Sequence, residues 1–135
     1  MIQPFTPILF AVREIVRVAL ELPEDTDKVG AGLSYDGTTD FYVWLGQIPG
    51  GSSADATEGS WAVDIDVFGL DYGETSQRAL DLEAYLLAPG GHRTPTMRID
   101  TVSENTGPFE GFWDDDTVSR ISATYVFTAR RPSRP

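Results

Sequence analysis

Residues 60–87, SWAVDIDVFGLDYGETSQRALDLEAYLL, constrain the fold more than any other stretch of the chain. Trp61, Val63, Ile65 and Val67 alternate with Ala62, Asp64, Asp66 and Phe68. A period of two marks a half-buried strand, because successive side chains leave opposite faces of the pleat. Residues 69–73, with a glycine at each end, break the alternation. Thr75 or Ser76 is then placed to cap a helix running to about Leu87, with Glu74 near its positive end. A strand that turns straight into a helix must bury one face against a second layer. This unit carries no catalytic motif and reads as the structural centre of a small α+β domain.

The flanking segments supply the rest of that domain. Thr6-Pro7 is a helix start, a hydroxyl cap followed by proline where its missing N–H costs nothing. Ile8, Leu9, Val12, Ile15, Val16, Ala19 and Leu20 follow at helical spacing, with Arg13, Glu14, Arg17 and Glu21 opposite and Pro23 as the stop. Residues 23–40 are turn-rich and read as a loop. Residues 41–48, FYVWLGQI, form a strand with apolar groups on both faces, so both faces call for cover. Residues 49–59 are small and polar, a flexible hairpin loop that serves either as a docking arm or as a surface insertion. Residues 97–104 and 118–130 give two more strands, separated by a loop that holds Phe109, Phe112 and Trp113. The order is α-β-β-α-β-β. The expected architecture is a single four-stranded, mainly antiparallel sheet with two helices packed on it, in one domain spanning 1–135. No internal repeat is visible.

Composition narrows the function. The chain has no cysteine, which removes disulfides, thiolate metal sites and a cysteine nucleophile. Acidic residues outnumber basic ones by 21 to 10, for a formal charge of −11. Nucleic-acid binders draw affinity from phosphate neutralisation, so this balance argues against sequence-independent DNA binding. No window holds the ~20 apolar residues of a membrane span, and residues 7–22 do not read as a secretory leader. Charge is uneven, since Arg120, Arg130, Arg131 and Arg134 follow residue 118 with no acid among them. The basic tail at about 130–135 reads either as a solvated end or as a contact for an acidic neighbouring copy.

Three constellations bear on chemistry. Asp64-x-Asp66 places two carboxylates on one strand face, which with Asp100 would suit a small metal-dependent nuclease. A third ligand at recognisable spacing is absent, and a polar sheet face turned toward a lumen or a neighbouring subunit accounts for the pair. Asp114, Asp115 and Asp116 do not follow calcium-loop spacing. His92 is the sole histidine, with no motif to orient it as a base. No catalytic, metal or cofactor site is expected. Trp44, Phe109, Phe112 and Trp113 are instead candidate interface anchors, together with Arg130 and Arg131.

The opening helix TPILFAVREIVRVAL, the strand FYVWLGQI, the unit at 60–87 and the closing ISATYVFTARR together resemble the tail-terminator (tail-completion) proteins of long-tailed bacteriophages. The resemblance covers most of the chain at the level of pattern. It implies a non-enzymatic virion protein that forms a homo-oligomeric, hexameric ring without cofactors. Such a ring caps the tail tube at the head-proximal end, stops polymerisation of the major tail tube protein and joins the tail to a neck or head-completion protein. DNA passes through without specific binding, no membrane is involved, and assembly takes place in the host cytoplasm. A head–tail connector of the neck is the neighbouring reading.

Overall fold

A computed structural model describes residues 6–31, 40–48, 58–110 and 118–130. Helix α1 (Pro7–Ala19) starts at Thr6, whose hydroxyl oxygen accepts the Leu9 N–H at 3.3 Å, with proline in the first helical position. Ile8, Leu9, Ala11, Val12, Ile15 and Val16 form its buried stripe. Pro23 is not what stops it. Glu21 adopts the left-handed region at φ 58°, and the Leu22 N–H returns to the Arg17 carbonyl at 2.7 Å while the Glu21 N–H reaches Val18 at 3.1 Å. This pair of bonds satisfies carbonyls that the helix end would otherwise leave orphaned.

Helix α2 (Tyr72–Leu86) begins earlier than Thr75 or Ser76. Asp71 is the cap, its carboxylate accepting the Gly73 N–H at 3.0 Å. The Thr75 hydroxyl lies within the first turn and donates to the Asp71 carbonyl at 2.7 Å. After the helix, Gly90 and Gly91 take φ values of 101° and 68°. A Cβ on Gly91 would stand 2.2 Å from the Ile99 carbonyl oxygen, so this turn requires glycine for both its conformation and its closeness to the sheet.

The strands are β1 (Val29–Gly30), β2 (Phe41–Gln47), β3 (Glu58–Gly69), β4 (His92–Arg93), β5 (Arg98–Glu110) and β6 (Ser119–Arg130). They form one sheet in the order β1-β2-β3-β6-β5-β4, curled as a half-barrel. The four-stranded sheet in the order α-β-β-α-β-β is therefore incorrect. Six strands are present among the described residues, the chain order is α-β-β-β-α-β-β-β, and the parallel pairing of β1 with β2 makes the sheet mixed. The two added strands are two residues long and lie at the edges, too short to carry alternation. β5 also runs through residues 105–110, expected to be loop, because three register shifts let it absorb Gly107 and Pro108 while still pairing with β6. Each half of the chain is a helix followed by three strands, and the two halves meet at the central β3–β6 pair.

Both helices cover the same face. α1 packs on β1 and β2, α2 on β3, β6 and β5, and the helices touch each other. Their apolar stripes share one core with Val43, Leu45, Val63, Ile65, Val67, Ala123, Tyr125 and Phe127. The alternation in β3 thus fell on the expected sides, and Ile121, Ala123, Tyr125, Phe127 and Ala129 of β6 alternate onto the same core. Among the described residues no helix is long and apolar enough to cross a membrane. Most of the loop read at 49–59 and residues 131–135 lie outside the described residues.

Candidate functional site

Both helices lie on one side of the sheet, so among the described residues no helix covers the other face, and register defines which positions share it. Four long strands contribute. Tyr42, Phe68 and Arg120 share one row; Trp44, Asp66, Ser122 and Phe109 share the next. Gly46, Asp64, Thr124 and Thr106 follow, then Ala62, Val126 and Ser103, then Ser60, Thr128 and Thr101. A last row joins Glu58, Arg130, Arg98 and Arg93. This face carries Trp44, Phe109, Asp64 and Asp66 of the predicted interface and sheet-face sets.

Asp64 and Asp66 lie here as neighbours on one side of β3, but their surroundings differ from an open pair of metal ligands. Asp66 is buried at 3% exposure. The Arg120 guanidinium converges on its Oδ2 through Nη2 at 2.7 Å and Nε at 3.2 Å. Asp64 is half-buried and its Oδ1 accepts from the Thr124 hydroxyl. Burial of a carboxylate is tolerated when a cation and hydrogen bonds replace its water. Asp100 does not join them. It stands on β5 at the end of the sheet near Ala129, roughly 15 Å along the strand from the Asp64 row. Among the described residues no group of three His, Cys, Asp or Glu is placed to hold a metal ion.

The aromatic candidates divide. Trp44 is half-buried and packs against a small cluster of Tyr42, Phe68 and Val118. Its indole lies over Gly46, where a Cβ would meet the ring at 2.4 Å, and its Nε1–H donates to the Ala31 carbonyl at 3.1 Å. Trp44 and its cluster thus cover the apolar outer side of β2. Phe109 is different, at 51% exposure on the face away from the helices, opposite the buried Ser122. Arg130 ends β6. Phe112, Trp113 and Arg131 lie outside the described residues.

Other ionisable groups are placed by the fold rather than by this face. His92 stacks on Tyr85 at 5.3 Å, and its Nε2 lies 3.2 Å from the Leu86 carbonyl at the end of α2. Glu14 is held below the usual carboxylate range by its hydrogen bond with Arg17 and by the charges of Arg17 and Arg13. Glu83 on α2 is shifted upward, first by desolvation and then by the facing carboxyl of Glu104 on β5. The Tyr125 hydroxyl is pushed up by burial, with Glu83 and Glu104 adding to it. The partners of the two β3 carboxylates, Arg120 and Thr124, were not among the predicted site residues. Nothing local in the sequence shows the register that sets Thr124 opposite Asp64 and Arg120 diagonally across from Asp66.

The fold defines a class, a two-helix α+β chain in which both described helices lie on one face of the sheet and the other face is buried around Tyr42, Phe68, Asp66 and Ser122 and exposed at Phe109, Arg98 and Arg93. No family model matches the sequence, and no curated protein matches it. Among solved structures, a chain from the virion of a native gene transfer agent (GTA) particle is similar in fold, with a TM-score of 0.60 at 14% identity. The match covers 90% of this chain and 96% of that one.

Proposed function

We propose that this chain is a virion assembly subunit of the tail-terminator kind. Copies form a ring on the head-proximal end of a tail tube, halt addition of further tube subunits, and offer a surface to the neck. The observation that carries the reading is the likeness of fold to a virion chain over nearly the full length of both chains. The exposed part of the sheet face away from the helices, at Phe109, Arg98 and Arg93, supports it, because an assembly subunit needs surface that its own helices do not use. That face's cross-strand pairs, Asp66–Arg120, Asp64–Thr124 and Ser60–Thr128, are made within the chain before any partner arrives. A preorganised face loses little conformational freedom on docking.

The experiment removes the gene from a phage that encodes it and measures tails by electron microscopy. Overlong tails of variable length, corrected by supplying the protein, are the expected result. Tails of normal length that fail to join heads would move the role to a neck connector. Normal virions would overturn the assembly reading altogether.

A further inference from the structure

The chain's basic groups are unevenly committed. Arg13 and Arg17 are held by Glu14 and by backbone carbonyls, Lys28 by Asp40, and Arg120 by Asp66. Arg78, the one base on α2, lies over the Phe41 ring at 4.1 Å. The remaining three basic positions among the described residues stand in a single cross-strand row, with Glu58 of β3 at its far end. Arg93 of β4 pairs with Arg98 of β5, which pairs with Arg130 of β6. Arg131 and Arg134 follow in the sequence. Arg93 and Arg98 are exposed, and Arg98 makes a long ion pair with Asp100, Nε to Oδ1 at 3.6 Å. Arg93 and Arg98 are like charges directly opposite on neighbouring strands, which works against the sheet, so an acidic partner laid over this pair would relieve a cost already present in the fold.

The complementary surface is on the same chain but on the other side of the sheet. Outward from the core, α2 exposes Leu80 at 48%, Tyr72 at 53% and Leu87 at 37%, with Glu74 and Asp81 beside them and no exposed base. Apolar anchors with a charged rim are what protein interfaces are built from. We propose that the arginine row of one copy docks on the acidic outer face of α2 of the next. Because row and helix occupy opposite faces of one sheet, a copy cannot close this contact on itself. The contact is head-to-tail, the type that generates a ring when the rotation closes. Duplex DNA is the competing acidic occupant, but the chain's own surplus of acid favours a second copy.

The inference rests on the ring-forming reading above, and charge exchange tests it separately. The Arg93→Glu/Arg98→Glu and Glu74→Arg/Asp81→Arg variants are each compared with the native chain by light scattering at low salt, with and without tail tubes. Circular dichroism checks that these exposed substitutions leave the fold intact. Each variant is expected to weaken self-association by roughly tenfold or more, and combining all four substitutions in one chain is expected to restore it. If the native chain forms rings and the variants do so equally well, or the combined chain stays unassembled, this contact is wrong while the ring reading stands. If the native chain forms no ring on or off a tube, both fall. Retardation of duplex DNA that requires Arg93 and Arg98 would assign the row to phosphate and overturn the inference.

Discussion

Removing the cation from Asp66 is the most direct test of how the sheet face away from the helices is held. Arg120→Met keeps an aliphatic stem near Phe68 and removes the guanidinium, with its charge and its two hydrogen bonds to Asp66. Asp66, at 3% exposure, is then a buried carboxylate without its cation. Stripping one member from a buried pair costs about 3–5 kcal/mol. The Arg120 side chain is 32% exposed, so water can enter where its head group stood. We therefore expect about 2–3 kcal/mol. Asp66→Leu leaves the guanidinium, which can rehydrate from its exposed side, and should cost about 1 kcal/mol. With both charges replaced the chain should return to within about 1 kcal/mol of native, giving a coupling near 2 kcal/mol. Urea unfolding reads this as a midpoint shift of about 1 M for Arg120→Met, with the slope unchanged. A loss below about 0.5 kcal/mol for that variant, or strictly additive single losses, would refute the reasoning.

Two further outcomes follow from local geometry. Glu21 occupies the left-handed position at the end of α1, where glycine carries no Cβ penalty, so Glu21→Gly should stabilise the chain by about 0.5–1 kcal/mol in thermal or urea unfolding. Glu83→Gln should give a pH-dependent gain. The folded carboxyl titrates above its ordinary value of 4.5, so native stability falls as pH rises through that window, and the neutral side chain escapes the loss. Solvent screening limits the gain to roughly a few tenths of a kcal/mol at pH 7. It should vanish below about pH 4.5, where the carboxyl is protonated in both states. An equal gain at pH 4 and pH 7 would show that charge is not its source.

What could be read from the sequence was whatever repeats over several residues. The α1 stripe, the alternation in β3 and the faces of β6 all span enough chain for their period to show. The cap of α2 was misplaced because Asp71, Thr75 and Ser76 all offer a side-chain oxygen, and only the backbone geometry selects Asp71. β1 and β4 were missed because two residues have no period. β5 was cut short because its bulges scramble the alternation between Ile99 and Phe109. For the site, Asp64 and Asp66 were visible as a polar pair. Whether they faced solvent, a metal or a cation depended on Arg120, 54 residues further on, which no local pattern connects to them.

The central β3–β6 pair also governs how the chain is born. Its partners are distant, Gly69 with Ser119 at one end and Glu58 with Arg130 at the other. A nascent chain can zip β2 to β3 early, but the inner edge of β3 stays unpaired until β6 leaves the ribosome. During that interval Val63, Ile65 and Val67 present a bare apolar edge of the kind that recruits other chains. Asp64 and Asp66 sit between those residues and, before Thr124 and Arg120 exist to neutralise them, act as gatekeepers against premature cross-pairing. The same two carboxylates thus guard the unfinished strand and afterwards fix its finished register.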